Sequence, residues 1–174
     1  MNLIFRLLRL LLSGKKLQSL NPLDESHLAF RVWPLDCDFN LHLTNARYPA
    51  LLDLARTQYL MQINALSMFF GGGWKSVLSS QNIIFIKEIK PFTRVNIATK
   101  VLYWDRKYCY IEHEFLVAGK VHAKAVARVA FIKGKRVRAF DKLLAELKTD
   151  SLIEPPEVTE SIKAWLSILE HKKN

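Results

Sequence analysis

Four stretches of alternating apolar and polar residues dominate the second half of this chain. They run from Val77 to Ile89, Arg94 to Trp104, Tyr108 to Val117 and Val121 to Lys133, each with the period of two that a β-strand imposes. The breaks between them are Pro91, Asp105-Arg106-Lys107 and Ala118-Gly119-Lys120. Such breaks are too short for a crossover helix, so the strands must pair antiparallel. A further strand is expected from His27 to Trp33, ended by Pro34, after which residues 35–43 read as a loop. One long helical pattern lies between these strands, from about Thr44 to Asn64, with Leu51, Leu52, Ala55, Tyr59 and Ile63 on one stripe. Ala123, Ala125 and Ala127 share a face of the last strand, and such small residues let a helix pack closely there. The fold class expected is therefore α+β, an antiparallel sheet around one helix. A short helix from Asp141 to Leu147 and an amphipathic one from Val158 to Lys172 should follow, separated by Pro155-Pro156.

With 174 residues, half of them hydrophobic, the chain can bury one sizeable core. The boundaries expected are an amphipathic helix in residues 1–20, the main domain in 21–148 and a helical extension in 149–174. No apolar run approaches the roughly 20 residues that span a bilayer. Two cysteines, Cys37 and Cys109, are too few for a disulfide framework. The net charge of +10 calls for an acidic partner. Lys133, Lys135, Arg136, Arg138 and Lys142 form one basic cluster, which reads either as an anchor for a polyphosphate carrier such as coenzyme A or as a solvated strand end. Neither a recognition helix nor an aromatic RNA-binding motif accompanies the charge, which argues against nucleic acid.

Residues 1–12 read MNLIFRLLRLLL, nine apolar positions interrupted by Arg6 and Arg9, with Lys15 and Lys16 following. That pattern fits a helix lying in a lipid interface, and equally one packing on the protein's own body or on a second subunit. Gly14-Lys15-Lys16 is not a small-residue cleavage site, which argues against a cleaved signal peptide. A cytoplasmic location, with peripheral membrane contact through residues 1–16, is the corresponding expectation.

The densest polar cluster is Asp36, Asp38, Asn40, His42, Thr44 and Asn45, just ahead of the long helix. A helix N-terminus offers unpaired N–H groups and a positive dipole end, which can hold the oxygen of a polarised carbonyl. A carboxylate six or seven residues ahead of the cap can fold back over that end and attack the carbonyl or activate water. The plainer reading is a loop of turn and capping residues, with Thr44 or Asn45 as the cap. Cys37, between two aspartates, is expected to be a blunted nucleophile. No metal-ligand spacing, phosphate-binding glycine loop or nucleophile elbow is present, so neither metal nor cofactor is expected.

The run Asp36-Cys37-Asp38-Phe39-Asn40-Leu41-His42-Leu43-Thr44-Asn45-Ala46-Arg47-Tyr48 resembles the thioesterase-like branch of the 4-hydroxybenzoyl-CoA thioesterase superfamily. The likeness extends from the N-terminal helix through Trp33-Pro34 and Gln81-Asn82-Ile83 to Trp104-Asp105-Arg106-Lys107 and Tyr110-Ile111-Glu112. It implies the hot-dog fold, a curved antiparallel sheet wrapped around a long helix. It places the catalytic carboxylate on Asp38, as nucleophile or general base on a thioester carbonyl. The backbone N–H near Asn45 would bind the carbonyl oxygen, with His42 and Asn45 orienting carbonyl or water. Asn40, Thr44 and Tyr48 would contact substrate. The implied activity is hydrolysis of a fatty or aromatic acyl-CoA, or an acyl-carrier thioester, by a homodimer or homotetramer. The acyl tunnel would run toward Met68-Phe69-Phe70-Gly71. Many relatives carry Gly where Leu41 stands, and Thr44 occupies a position that is often Asn. Two alternatives stand beside this: a non-catalytic acyl-binding, membrane-associated protein, and a hydratase or dehydratase using His42 as base.

Overall fold

The computed structural model describes residues 3–14, 17–147 and 153–171. Helix α1 spans Leu3–Ser13, strand β1 Ser26–Arg31, helix α2 Arg47–Gln62 and the short helix α3 Leu66–Phe70. Strands β2 (Trp74–Phe85), β3 (Arg94–Trp104), β4 (Cys109–Val117), β5 (Lys120–Lys133) and β6 (Arg136–Arg138) follow, then helices α4 (Phe140–Glu146) and α5 (Glu160–His171). The main sheet runs in the order β1-β3-β4-β5-β2, every pair antiparallel, and β6 returns alongside the end of β5. This is the α+β arrangement expected from the alternating pattern.

Helix α2 is clasped on several sides. Leu51, Leu52, Ala55 and Tyr48 pack with Ala123, Ala125 and Phe115 of the sheet, so the small residues of β5 do receive the helix. One and two turns further on, Tyr59 joins Ala127, Val129 and Phe131 in a second cluster. Part of the buried face is polar. Gln58 Nε2 donates to the carbonyl of His27, and Ser26 Oγ donates to Gln62 Oε1 at 2.6 Å. Gln62 Nε2 in turn donates to the carbonyl of Gln18. The buried face of α2 thus includes Gln58 and Gln62 as well as the apolar stripe, which is why the stripe understates its burial.

Boundaries moved where local chemistry won. The helix begins at Arg47, not near Thr44, and neither Thr44 nor Asn45 caps it with a side chain. Instead the carbonyls of Thr44 and Asn45 accept from the amides of Arg47 and Tyr48 in tight i to i+3 turns. Strand β2 starts at Trp74 and ends at Phe85, earlier at both ends than expected. Helix α3 and strand β6 were not foreseen; five and three residues are too few to show a period. The last helix begins at Glu160, two residues later than read. Met1, Asn2, Lys15 and Lys16 of the N-terminal reading lie outside the described residues, as does the 148–152 boundary region.

Helix α1 packs on the body with one part of its surface only. Arg6 and Leu10 are buried against the body, whereas Ile4, Phe5, Leu8 and Leu12 stay exposed. No helix among the described residues is long and apolar enough to cross a membrane.

Candidate active site

The loop between β1 and α2 is built on two aspartates with different duties. Pro34–Asp36 forms a single 3₁₀ turn, closed by the Asp36 amide donating to the carbonyl of Trp33. The Asp36 carboxylate is buried. Its Oδ2 accepts from the amide of Trp33 at 2.9 Å and pairs with the Arg6 guanidinium, while Oδ1 lies 3.7 Å from Arg47 Nε. Arg6 also stacks over the ring of Phe30. Burial pulls the Arg6 guanidinium below the usual arginine range, and Asp36 pulls it back. The first aspartate is therefore spent on fastening α1 and the start of α2 to the loop.

Asp38 is held by a lighter set of bonds. Its amide donates to the carbonyl of His42 at 3.0 Å, and its own carbonyl accepts from the amide of Leu41. Its Oδ1 accepts from the amide of Asn40 at 2.9 Å, an Asx-type turn. Leu41 takes φ +58 to close this turn, the left-handed conformation that glycine adopts without strain. That is the physical reason a glycine suits this position. The amide of Leu43 donates to the carbonyl of Ile89, and Cys37 bridges to Leu43, so the loop is stitched to the chain beyond β2.

These bonds bring Asp38, His42, Asn45 and Tyr48 to one cavity of about 210 Å³, closed on its other side by Phe85 to Glu88. The Thr44 amide is engaged by the carbonyl of Asp36, and the amides of Arg47 and Tyr48 by the carbonyls of Thr44 and Asn45. Tyr48 is buried between the rings of Phe85 and Phe115, and burial pushes its phenol up to about 12. His42 Nε2 lies 3.1 Å from Glu88 Oε2. Asn40 and Thr44 do not line the cavity; Asn40 contributes its amide to Asp38, and Thr44 its backbone to the helix turn. Cys37 is blunted as expected: partial burial, then Asp36 and Asp38, raise its thiol. Glu88 and Lys87 were missed, because nothing in a strand-like run FIKE distinguishes a cavity wall from a solvated edge.

A profile of the thioesterase-like superfamily matches residues 32–166, most of the chain. The chain belongs to that superfamily. A probable thioesterase of Saccharomyces cerevisiae is 29% identical over 85 residues, covering 48% of this chain and 37% of the yeast protein. Protein THEM6 of Drosophila melanogaster is 28% identical over 133 residues, covering 76% of this chain and 66% of its own length. The chain thus spans between about a third and two thirds of these relatives. Among solved structures, a DHNA-CoA thioesterase of Staphylococcus aureus superposes with a TM-score of 0.61 at 14% identity, covering 86% of this chain and 95% of the other. That likeness fixes the fold as the hot-dog fold of the thioesterase-like superfamily.

Within this thioesterase-like fold a second cavity, of about 240 Å³, lies further along α2. Its wall is mostly apolar, with Leu60, Ile111, Val129 and Phe131, and Asp53, Arg56 and Thr57 at its rim. Arg56 pairs with Asp53, donates to Gln81 Oε1 at 3.3 Å and reaches His113 Nε2 at 3.4 Å. Arginine only donates, so Nε2 accepts and the buried imidazole carries its hydrogen on Nδ1, facing Thr99 Oγ1 at 2.9 Å. Phe69 of α3 packs on Phe131, one of the residues that line this cavity. The basic cluster around Arg136 lies toward this second cavity, where Arg138 is the register partner of Phe131. Trp74 pairs with Lys133 at one end of β2 and Phe85 with Ala123 at the other. Measured along the strand, those ends are at most about 36 Å apart at 3.3 Å per residue. Among the described residues, no group of three or more His, Cys, Asp or Glu side chains could hold a metal ion.

Proposed function

We propose that this chain hydrolyses acyl-CoA thioesters, with fatty or aromatic acyl groups, to the free acid and coenzyme A. The observation that carries the reading is one cavity lined by the Asp38 carboxylate and by Asn45 at the head of α2. In the general-base form, Asp38 takes a proton from water as the water oxygen bonds to the thioester carbonyl carbon. The oxyanion accepts from the amides at Asn45 and Ala46, aided by the helix dipole. Collapse of the tetrahedral adduct breaks the carbon–sulfur bond, and the Asp38 proton passes to the leaving thiolate. In the nucleophilic form, Asp38 bonds to the carbonyl carbon itself and water then opens the mixed anhydride. Label found in Asp38 after single turnover in ¹⁸O-water marks the second, by attack of water on the Asp38 carbonyl of the anhydride. His42, held by Glu88, and the Asn45 side chain orient carbonyl or water. Asn40 and Thr44 act through backbone groups rather than by touching substrate, and Tyr48 forms the cavity wall. The acyl group lies along α2 toward the second cavity. No cofactor takes part.

Three further features complete the proposal. Strand β2, at the edge of the sheet, carries exposed Val77, Ile84 and Phe85, and exposed Ile86 follows it. Long apolar edges need covering, which supports a homodimer joined there, with pairs of dimers as the larger form. A cytoplasmic location fits, with α1 free for peripheral membrane contact. A second reaction, hydration of an enoyl thioester with His42 as base, gains from the Glu88 contact, an acid outside the motif. A panel of acyl, aroyl and enoyl thioesters, offered to wild type and Asp38→Asn, tests the activity. Free thiol released by wild type and not by the variant supports the hydrolase. Saturable binding without thiol release would replace it with an acyl-binding protein.

A further inference from the structure

A groove of about 530 Å³ opens between α1 and β1, sharing no residue with either cavity above. Arg6, Arg9, Arg31 and Arg94 line it, and no carboxylate does. Arg31 and Arg94 are register partners on β1 and β3, where like charges repel directly. Among the described residues, Arg9, Arg31 and Arg94 take part in none of the ion pairs, whereas Arg6 beside them is paired with Asp36. Arg6, at the groove's inner end, is 7% exposed. Its Nη2 is spent on Asp36 and the carbonyl of Arg31, but its Nε and Nη1 are buried with no acceptor. Guanidinium N–H groups without acceptors in a partly apolar setting are costly unless an anion meets them.

The groove is continuous with an apolar surface. Arg9 and Ser13 line both it and a trough formed by Phe5, Leu8 and Leu12. Phe5 and Leu12 are 64% and 84% exposed. An exposed apolar helix face bordered by unneutralised arginines is the pattern of a helix seated at a lipid boundary. We propose that this corner docks on an anionic phospholipid bilayer, with Phe5, Leu8 and Leu12 in the acyl boundary and a phosphate headgroup among Arg9, Arg31 and Arg94. A second copy related by a twofold axis through this patch would set the same arginines against one another. A free anion would satisfy the arginines and leave the apolar face bare. The bilayer satisfies both.

The test is flotation of the full chain with vesicles of phosphatidylcholine alone or mixed with phosphatidylglycerol. Wild type should float only with the mixed vesicles and be released by salt. Each arginine near an anionic surface is worth about fivefold in binding, so Arg31→Gln with Arg94→Gln should weaken it at least about tenfold. That variant removes a repulsive pair and should melt no lower than wild type; Phe5→Ser with Leu12→Ser supplies the apolar arm. Equal flotation on neutral vesicles overturns the proposal, as does unchanged affinity in the arginine variant. Saturation by inorganic phosphate with no vesicle binding overturns it in favour of a free anion. A fall in oligomer mass in the Phe5 variant, with vesicle binding intact, overturns it in favour of a second copy. Hydrolysis of a soluble thioester, read on the same samples, fails or succeeds separately from all of these.

Discussion

Asp36 and Asp38 stand two residues apart in one loop, and the fold treats them in opposite ways. Asp36 is buried, meets two arginines and takes the amide of Trp33. Asp38 accepts one amide, from Asn40, and faces a cavity. A carboxylate whose lone pairs are consumed by the protein fastens elements together. One with lone pairs to spare at a helix N-terminus is available for chemistry. The 3₁₀ turn at Pro34 decides which is which, because it turns Asp36 inward and leaves the next alternate residue facing out.

The largest expected effect breaks the pair at Asp38. Asp38→Asn keeps an oxygen for the Asn40 amide, so the turn survives while the base is lost. Thioester turnover should fall by about 10²–10⁴-fold with a melting temperature close to wild type. Equal turnover would remove Asp38 from the mechanism. The reciprocal change, Asp36→Asn, leaves the Arg6 charge buried without its counterion. Breaking one side of such a pair costs about 3–5 kcal/mol, or roughly 6–20 °C in a chain of this size. Thermal melting, with amide exchange over Leu3–Ser13, reads it. A variant that melts like wild type would show that the helix is held by its leucines alone.

The sequence made Asp38, His42 and Asn45 legible because they fall in one short run, and chain neighbours need no long-range packing to meet. The sheet was legible because alternation survives in every strand. What was hidden came from distant chain. Arg6 reads as one of two cations on an amphipathic helix, and its burial against Asp36 depends on a contact thirty residues away. Glu88 reaches His42 only once β2 lies beside α2. Gln58 and Gln62 look like solvent-facing helix positions until β1 and residues 17–20 cover them. The family resemblance supplied roles for the loop residues, but it said nothing of the arginine groove.

Two histidines repeat the contrast between a group spent on the fold and one left in reach. His42 is partly exposed beside Glu88, whereas His113 is wholly buried under α2 and its Nε2 faces Arg56. Burial, then the Arg56 charge, holds the His113 imidazole well below its ordinary value of 6.5. Below pH 6.5 the unfolded chain takes up a proton at this residue that the folded chain does not. Stability attributable to His113 is therefore complete above that pH and falls as pH drops below it, by up to about 1.4 kcal/mol per pH unit. His113→Gln should flatten that part of the acid limb of a melting-temperature profile between pH 6.5 and the folded value. An unchanged limb would place the acid sensitivity elsewhere, on the carboxylates.

The smallest effect concerns how Asp38 is aimed. Leu41 holds φ +58 with an exposed side chain, so little packing offsets its strained backbone. A left-handed non-glycine residue costs about 1–2 kcal/mol, and glycine returns about 0.5–1 kcal/mol of that through its greater freedom when unfolded. Leu41→Gly should therefore raise stability by up to about 1 kcal/mol, while a β-branched residue in the same conformation, Leu41→Val, should lower it. The turn's two backbone bonds, Asp38 amide to His42 carbonyl and Leu41 amide to Asp38 carbonyl, survive the glycine change. If they alone aim the carboxylate, kcat in the glycine variant stays near wild type. A marked loss of kcat at unimpaired stability would mean that the leucine side chain itself steadies the Asp38 loop over the cavity, and the light hold on Asp38 would then include a side chain as well as the backbone.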